Sequence, residues 1–255
     1  MSIREAVLDD GRVVVVKRGH APGATAAEAA GLRWLAAADA VPVPAVHRHD
    51  DEELVLDRVP AGRPSAAAAE RFGRGLARLH ASGAPAFGAA PPGGPADAWI
   101  GQAPMANVPG EDWASWYAAH RVLPYVRLAV DAGTFGPADA ALVERACDRI
   151  PASAEAPSRL HGDLWNGNVL WDGERVWLID PAAHGGHRET DLAMLHLFGC
   201  PHLDRVLAAY QEVAPLADGW AERIPLHQLF PLLVHTVLFG QSYAGQALAA
   251  ARSLR

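Results

Sequence analysis

The sequence predicts an α+β protein with two lobes, a small lobe of sheet plus one helix followed by a larger, mostly helical lobe. Three patterns carry this prediction: strand signals dominate residues 1–59, helical periodicity dominates residues 60–255, and one β-hairpin interrupts the helical part. With 255 residues, of which 50% are hydrophobic and 20% charged, the chain is long enough to bury a core.

The small lobe is predicted from short runs rich in β-branched residues. Its expected elements are a strand, a turn at 9–11, a strand over 12–17, a helix over 25–40, and two short strands over 46–49 and 53–56. The unbroken valines of the second strand indicate burial on both of its faces. Thr25 and Glu28, three residues apart at the start of the helix, fit a capping box.

The larger lobe is predicted from the helical spacing of its apolar residues. Its expected helices span 65–82, 111–132, 137–149, 189–198, 202–213 and 225–252. A hairpin is expected where Val169–Trp171, an Asp-Gly turn and Val176–Ile179 follow one another. The loop over 83–110 is rich in Gly, Pro and Ala, and its length indicates a functional or mobile segment.

Charge and composition argue against several classes of protein. The 29 acidic residues outnumber the 22 basic ones and give a net charge of −7, whereas a nucleic-acid-binding protein needs a basic face. Cys147 and Cys200 have no spacing that supports a disulfide framework or a zinc site. The N-terminal segment is too charged for a signal peptide, and polar residues interrupt the longest apolar stretch, 226–239. We therefore expect a cytoplasmic protein with no nucleic-acid, membrane or protein partner.

Two residue counts identify candidate functional residues. The chain has 21 Arg but a single Lys, Lys17, which indicates a position where a compact ammonium on a flexible stem is needed. Asn occurs three times, and Asn166 and Asn168 both fall in the stretch 161–168. That stretch is the first candidate for a catalytic segment.

The hairpin after this stretch gathers polar side chains at one rim. Its strands begin just after Asn168 and end just before Asp180, so antiparallel pairing returns these two residues to the same end. Asp163 precedes Asn168 by five positions. The spacing D-x-x-x-x-N, followed by a hairpin and an Asp, is the layout of a base and two metal ligands in the protein-kinase superfamily. The alternative is that Asp163 and Asn168 merely stabilise turns.

Lys17 supplies the remaining part of such a site. A lysine near the end of a buried strand can direct its ammonium at the α- and β-phosphates of a nucleotide when an acid from the next helix holds it. Glu28 is the candidate acid. The competing interpretations are a capping role for Glu28 and a solvated strand end for Lys17.

Four segments carry a resemblance to a known family. They are HGDLWNGNVLW (161–171), LIDPAAHGGHRETDLAM (178–194), IGQAPMANVPGEDWASWYAAHRVLPY (100–125) and EAAGLRWL (28–35). From about residue 3 to residue 250 the chain resembles the fructosamine kinase family, a branch of the aminoglycoside-phosphotransferase-like kinases. The resemblance implies a bilobal protein-kinase-like fold, ATP with Mg²⁺ as the phosphate donor, and a sugar hydroxyl of a free or protein-bound ketosamine as the acceptor.

The resemblance also implies a role for each candidate residue. For the chemistry, Asp163 would be the catalytic base, and Asn168 and Asp180 would be the magnesium ligands. For the nucleotide, Lys17 and Glu28 would be the phosphate-anchoring pair, and the backbone of Asp57 and Val59 would contact adenine. Trp165 would be the platform for the acceptor, and the catalytic loop would be supported by His161, Glu189 and Asp191.

The sequence departs from its relatives in three places. Gly162 replaces the Arg of the protein-kinase HRD triplet, so control by phosphorylation of an activation loop is not expected. Pro181 follows Asp180, so the flip of the kinase Asp-Phe-Gly motif has no hinge. The residues from Ser2 onward align with the segment that comes after the family's Gly-rich nucleotide loop, so we expect the first strand and those glycines to be missing.

Two other functions stay open at this point. One is a kinase of another small hydroxylated compound, such as an aminoglycoside, because the acceptor is recognised by helices whose specificity the sequence does not define. The other is a nucleotide-binding pseudokinase with weak activity. The intact set of Asp163, Asn168, Asp180 and Lys17 argues against the pseudokinase.

Overall fold

The structure is a computed structural model that describes residues 3–254, so Ser2 lies outside the described residues. Within this range the strands are β1 (Ile3–Val7), β2 (Val13–Arg18), β3 (Val46–His49), β4 (Glu53–Asp57), β5 (Asp97–Ile100), β6 (Ala103–Ala106), β7 (Ser158–Leu160), β8 (Val169–Trp171), β9 (Val176–Leu178) and β10 (His184–Gly186). The helices are α1 (Ala24–Ala36), α2 (Ala66–Ala81), α3 (Trp113–Tyr117), α4 (Leu123–Asp131), α5 (Pro137–Cys147), α6 (Arg188–Leu197), α7 (Leu203–Val213), α8 (Ile224–Phe239) and α9 (Gln241–Ser253). The predicted α+β class is confirmed, while the division at residue 59 stays a prediction.

The small lobe is an antiparallel sheet in the order β1-β2-β4-β3, with α1 packed on one face. Leu54 and Leu56 of β4 pack against Ala29 and Leu32 of α1. Lys17 pairs with Leu54 in the ladder and therefore lies on the sheet face that α1 covers. The sheet thus directs the single lysine toward the helix.

The prediction that β2 is buried on both faces is wrong at its first residue. Val14 and Val16 are buried, but Val13 is 45% exposed. The ladder with β4 ends at the pair Val14 and Asp57, so Val13 lies beyond the last cross-strand neighbour on that side.

The predicted capping box at the start of α1 is also wrong. The helix begins at Ala24 after Gly23, whose φ of +74° is the left-handed conformation that glycine tolerates. Thr25 lies inside the helix, and its hydroxyl donates to the carbonyl of Asp50 instead of to the helix backbone. Glu28 is thereby left free to make a tertiary contact.

The helical lobe has most of the predicted helices, but two of them are interrupted and one predicted loop contains a hairpin. The helix expected over 111–132 is divided by a π-helical segment, Ala118–Val122, between α3 and α4. The helix expected over 225–252 breaks at Gly240, whose φ is +65°. The loop expected over 83–110 contains the β5–β6 hairpin. Among the described residues no helix has both the length and the apolar character that crossing a bilayer would require.

Two hydrophobic cores hold the helical lobe together. One surrounds Trp113 and Tyr117 with α8 and α9, and the other surrounds Phe72 of α2 with α7 and the β8–β9 hairpin. The second core contains Val169 and Leu178, a cross-strand pair of that hairpin. The β8–β9 hairpin is therefore anchored in a packed core rather than carried on a free loop.

Candidate active site

A cavity of about 280 Å³ lies between the sheet lobe and the helical lobe. Six of the residues predicted from the sequence line it: Lys17, Glu28, Asp163, Trp165, Asn168 and Asp180. The structure therefore brings together residues that are up to 163 positions apart in the chain.

Lys17 connects the two lobes across this cavity. Its Nζ lies 2.5 Å from Glu28 Oε1 and 2.7 Å from Asp180 Oδ1. Burial opposes the charge of the lysine, but the two carboxylates outweigh that effect and raise its pKa, so Lys17 remains an ammonium. Glu28 is thus an ion-pair partner of Lys17 and not a helix cap.

The position of Glu28 is set by how α1 docks on the helical lobe. A Cβ at Gly31 would lie 3.2 Å from Ala183 Cβ and 3.3 Å from Pro181 Cγ, so the helix meets the segment after Asp180 at a glycine. One turn further along α1, Arg159 donates to the carbonyl of Trp34 at 2.8 Å, and its guanidinium lies over the Trp34 ring. The first contact fixes α1 against the segment after Asp180, and the second fixes it against β7.

Asp163 and Asn168 form a hydrogen-bonded pair in the segment 161–168, the candidate catalytic loop. Nδ2 of Asn168 donates to the backbone carbonyl of Asp163 at 2.8 Å and to its carboxylate at 3.0 Å. Burial raises the pKa of Asp163 to about 7, against the opposing effect of the hydrogen bond from Asn168. Because the amide nitrogen of Asn168 is used in this way, its oxygen is the atom left for another ligand.

His161 and Asp191 hold the start of this loop. The carboxylate of Asp191 accepts from the backbone nitrogens of His161, at 2.8 Å, and of Gly162, at 2.9 Å. The buried ring of His161 donates from Nε2 to the carbonyl of Ile179, next to Asp180. Both residues therefore lie where the sequence predicted support for the loop.

Gly162 is required by the backbone at this point. Its φ is +83°, and a Cβ there would lie 2.1 Å from the carbonyl oxygen of Ala182. An arginine, which protein kinases have at this position, does not fit this loop.

Glu189 is not among the residues that hold the catalytic loop. Its carboxylate accepts hydrogen bonds from Nη2 and Nε of Arg223, at 2.6 and 2.9 Å, and lies 3.2 Å from Nε2 of His227. Residues two positions apart on a helix face different sides, so Asp191 faces the loop while Glu189 faces the start of α8. Of these two predicted supports, therefore, Asp191 contacts the loop and Glu189 does not.

Trp165 lies at the rim of the cavity and is 39% exposed. Its indole covers Gly167, where a Cβ would fall 2.2 Å from the ring, and meets Phe198 edge to face at 5.9 Å between centroids. Phe198 in turn begins an aromatic cluster that continues through His235, Phe239 and Tyr243. This cluster extends the exposed face of Trp165 along α8 and α9.

Asp57 and Val59 lie outside the lining of the cavity. The backbone nitrogen of Asp57 donates to the carbonyl of Ala45, and its carboxylate lies 2.6 Å from His47. Within residues 3–254 the backbone nitrogen of Val59 makes no hydrogen bond. Of the two, Val59 is the residue with a free donor.

Sequence reasoning missed two parts of the site. His80 of α2 donates from Nε2 to Asp191 and accepts at Nδ1 from the hydroxyl of Tyr210, so it belongs to the support of the catalytic loop. Asn107, which follows the β5–β6 hairpin, lines the cavity. The rarity of asparagine in the chain is the signal that could have drawn attention to Asn107.

The assembled site has the parts needed for phosphoryl transfer. It combines a fixed ammonium for phosphates, a buried carboxylate beside the position of an incoming hydroxyl, and carboxylate and amide oxygens of the kind that Mg²⁺ prefers.

Comparison with known proteins gives the family. The family model of fructosamine kinase matches residues 8–254. The chain belongs to the fructosamine kinase family. The resemblance seen in the sequence is thereby confirmed, and the protein is a phosphotransferase that acts on a hydroxyl group.

Individual members of the family support the assignment. The chain is 36% identical over 235 residues to a "Probable ketoamine kinase" of Thermus thermophilus, covering 91% of this chain and 83% of that one. A second protein of that name, from Enterococcus faecium, is 37% identical over 177 residues, or 67% of this chain and 61% of its own length. The crystal structure of a "putative fructosamine-3-kinase" from Thermobifida fusca superposes with a TM-score of 0.91 at 47% identity, covering 100% of this chain and 93% of that one.

More distant structures show the fold. An aminoglycoside phosphotransferase, solved as a ternary complex with AMP-PNP and hygromycin B, superposes with a TM-score of 0.62 at 17% identity over 99% of this chain and 94% of that one. The predicted kinase-like, two-lobed fold is therefore confirmed.

Proposed function

We propose that this phosphotransferase transfers the γ-phosphate of ATP, with Mg²⁺, to a sugar hydroxyl of a ketosamine that is free or attached to a protein amine. The observation that carries the proposal is the grouping of Lys17, Glu28 and Asp180 beside Asp163 and Asn168 in one cavity. The names of the relatives, ketoamine kinase and fructosamine-3-kinase, support the class of acceptor.

On the nucleotide side, Lys17 is the residue that meets the phosphates. Its ammonium is buried and held by two carboxylates, so its position is fixed before a nucleotide enters. The free backbone nitrogen of Val59 and the carbonyl of Asp57 are proposed to meet the adenine at the turn after β4.

The donor set fits a magnesium ion. Asn168 has its amide oxygen free, and Asp180 is a half-exposed carboxylate with one oxygen on Lys17. These are the hard oxygen ligands that Mg²⁺ takes together with phosphates and water. When bound, the ion would neutralise charge on the phosphate oxygens.

Asp163 is proposed to accept the proton of the acceptor hydroxyl. Its pKa of about 7 makes it a stronger base than an ordinary aspartate while leaving much of it ionised at neutral pH. Trp165, which offers an exposed indole at the cavity rim, is proposed to stack on the sugar or on its apolar linker.

An acceptor panel under saturating Mg-ATP tests the proposed function. The panel compares a fructosyl-amine, the matching free sugar, the matching free amine and an aminoglycoside, with ADP release and product mass as the two readouts. We expect phosphorylation of the fructosyl-amine alone. Turnover of the aminoglycoside in its place would overturn the ketosamine assignment, and nucleotide binding without any transfer would indicate a pseudokinase.

A further inference from the structure

Asn107 has a buried donor that the protein itself does not use. The side chain is only 4% exposed, and it lines the same cavity as Asp163. Its Oδ1 accepts a hydrogen bond from Nη2 of Arg121 at 3.1 Å. Its Nδ2 has no hydrogen-bond partner within the part of the chain that the structure describes.

The orientation of this amide is fixed by chemistry. A guanidinium has only donors, so the amide atom that faces Arg121 has to be the oxygen, and the nitrogen has to be at the other end. Arg121 is itself immobilised, since Nη1 donates to the carbonyls of Ala106 and His120 and the guanidinium lies over the ring of Trp116 at 4.7 Å. Reversing the amide would therefore place the NH₂ group of Asn107 against the N–H groups of the Arg121 guanidinium, and both are donors.

The backbone around this pair is equally fixed. Arg121 belongs to the π-helical segment between α3 and α4, a type of helix that is often associated with functional sites. The backbone nitrogen of Asn107 donates to the carbonyl of Ala96 at 2.7 Å, which closes the base of the β5–β6 hairpin. A buried, unpaired donor held this firmly costs stability unless something else accepts from it.

The location of Asn107 points to the acceptor and not to the nucleotide. Strand β6, which ends at Ala106, packs against α8, and α8 supplies His235 and Phe239 to the aromatic cluster that reaches Trp165 through Phe198. Lys17 and Glu28 lie instead on the side of the cavity formed by β2 and α1, and Asp180 reaches them from the segment after β9.

We propose that Asn107 is a specificity-determining residue of the acceptor subsite, where its Nδ2 donates a hydrogen bond to an oxygen of the sugar. Arg121 is a positioning residue that acts through it by holding the amide in the donating orientation. The inference rests on the proposed function, because it takes the acceptor to be a hydroxylated molecule in this cavity.

Two variants test it, each with steady-state kinetics in both substrates. Asn107→Leu removes the whole amide, whereas Asn107→Asp keeps an oxygen for Arg121 and removes the donor. We expect both to raise the KM of the acceptor between about 2- and 10-fold, the effect of losing one hydrogen bond, while the KM of ATP stays unchanged. Gln228→Leu is the matched control, since this carboxamide on α8 donates to the carbonyl of Ala193 and does not line the cavity.

The outcomes separate this inference from the function on which it rests. An acceptor KM within twofold of the parent value in both variants, or in Asn107→Asp alone if the Leu variant does not fold, would overturn the role of Asn107. A parent protein that phosphorylates none of the panel would overturn both proposals. Equal rises in the KM of ATP and of the acceptor would also overturn the role of Asn107, because such a change reports a general distortion of the cleft.

Discussion

The ammonium of Lys17 is enclosed by Glu28 and Asp180 and is almost completely buried. A lysine fits such a narrow place because its charge is a compact point at the end of a flexible stem, whereas a guanidinium is broad and planar. The chain has 21 arginines on its other basic positions, so the sole lysine is the exception that the geometry explains.

We expect Lys17→Arg to lose activity almost as completely as Lys17→Met. The guanidinium would place its donors away from the phosphates, so turnover falls in both variants while the melting temperature without nucleotide changes little between them. Arg18→Lys, on the exposed neighbouring position of the same strand, is the control and should keep its activity. Parent-like turnover of Lys17→Arg would show that Lys17 is not the phosphate anchor.

Asp180 is expected to govern the response to magnesium. In Asp180→Ala the ion loses a charged ligand, while Lys17 keeps Glu28 as its partner, so the protein should fold but lose Mg²⁺-dependent ATP binding. The measurement is a titration with MgCl₂ at a fixed concentration of ATP, in which the shift in melting temperature is the readout. A titration curve identical to that of the parent protein would contradict the role of Asp180.

The catalytic loop depends on two glycines with different functions. Gly162 permits the backbone turn beside Ala182, and Gly167 leaves room for the indole of Trp165. The second of these can be tested without disturbing the chemistry, because Gly167 itself has no side chain to contribute.

We expect Gly167→Ala to weaken acceptor binding. The new methyl group would lie between 2.2 and 2.6 Å from atoms of the indole, so the ring has to move from its place. The KM of the acceptor should rise severalfold while the KM of ATP stays constant. The control is Gly245→Ala on α9, where the methyl group meets nothing within 4 Å. If the acceptor KM does not change in Gly167→Ala, Trp165 is not the platform for the sugar.

Sequence patterns predicted the elements that arise from local periodicity and missed those that arise from tertiary contacts. The β8–β9 hairpin was predicted because an Asp-Gly turn separates two apolar runs. The β5–β6 hairpin was missed because its strands contain Pro and Gly neighbours that are typical of loops. The ladder of β7 and β10 has three residues a strand, which is too short for any periodic signal.

The residues of the candidate site likewise include some that local spacing predicts and some that only tertiary contacts bring together. Asp163, Asn168 and Asp180 were predicted because spacing along one hairpin determines their meeting in space. His80 and Asn107 were missed because each contacts a residue from a distant helix, and no local pattern records such a contact. Glu28 was predicted correctly as a partner of Lys17, although the pattern also fitted a helix cap.

The fold keeps several histidines buried and neutral. Burial, together with the nearby charge of Arg121, lowers the pKa of His184 to about 3, and burial beside His227 lowers that of His187 to about 3. The same side chains have a pKa of about 6.5 when the chain is unfolded. Between these values the unfolded state binds protons that the folded state does not, so stability falls as the pH falls below about 6.5.

We expect the free energy of unfolding, measured in urea, to decrease between pH 7.5 and pH 5.5. Each buried histidine contributes up to about 1.4 kcal/mol per pH unit in the lower part of this window. His187→Gln keeps polar atoms for Ser153 and for the backbone of Glu189, and it should reduce the slope. A slope in His187→Gln equal to that of the parent protein would contradict the proposed contribution of this buried histidine.

In the proposed reaction the protein phosphorylates a ketosamine with Asp163 as the base. Asp163→Asn tests it directly, because the amide is nearly isosteric and cannot take the hydroxyl proton. The measurement is the initial rate at which a fructosyl-amine gains phosphate from Mg-ATP, with the mass of the product as the readout. The shift in melting temperature that ATP induces is the control for nucleotide binding. We expect the parent protein to form the phosphorylated product and the variant to be slower by about 10²- to 10⁴-fold with an unchanged thermal shift. A variant that forms product at the parent rate would show that Asp163 is not the base, and a parent protein that leaves the fructosyl-amine unmodified would overturn the ketosamine assignment.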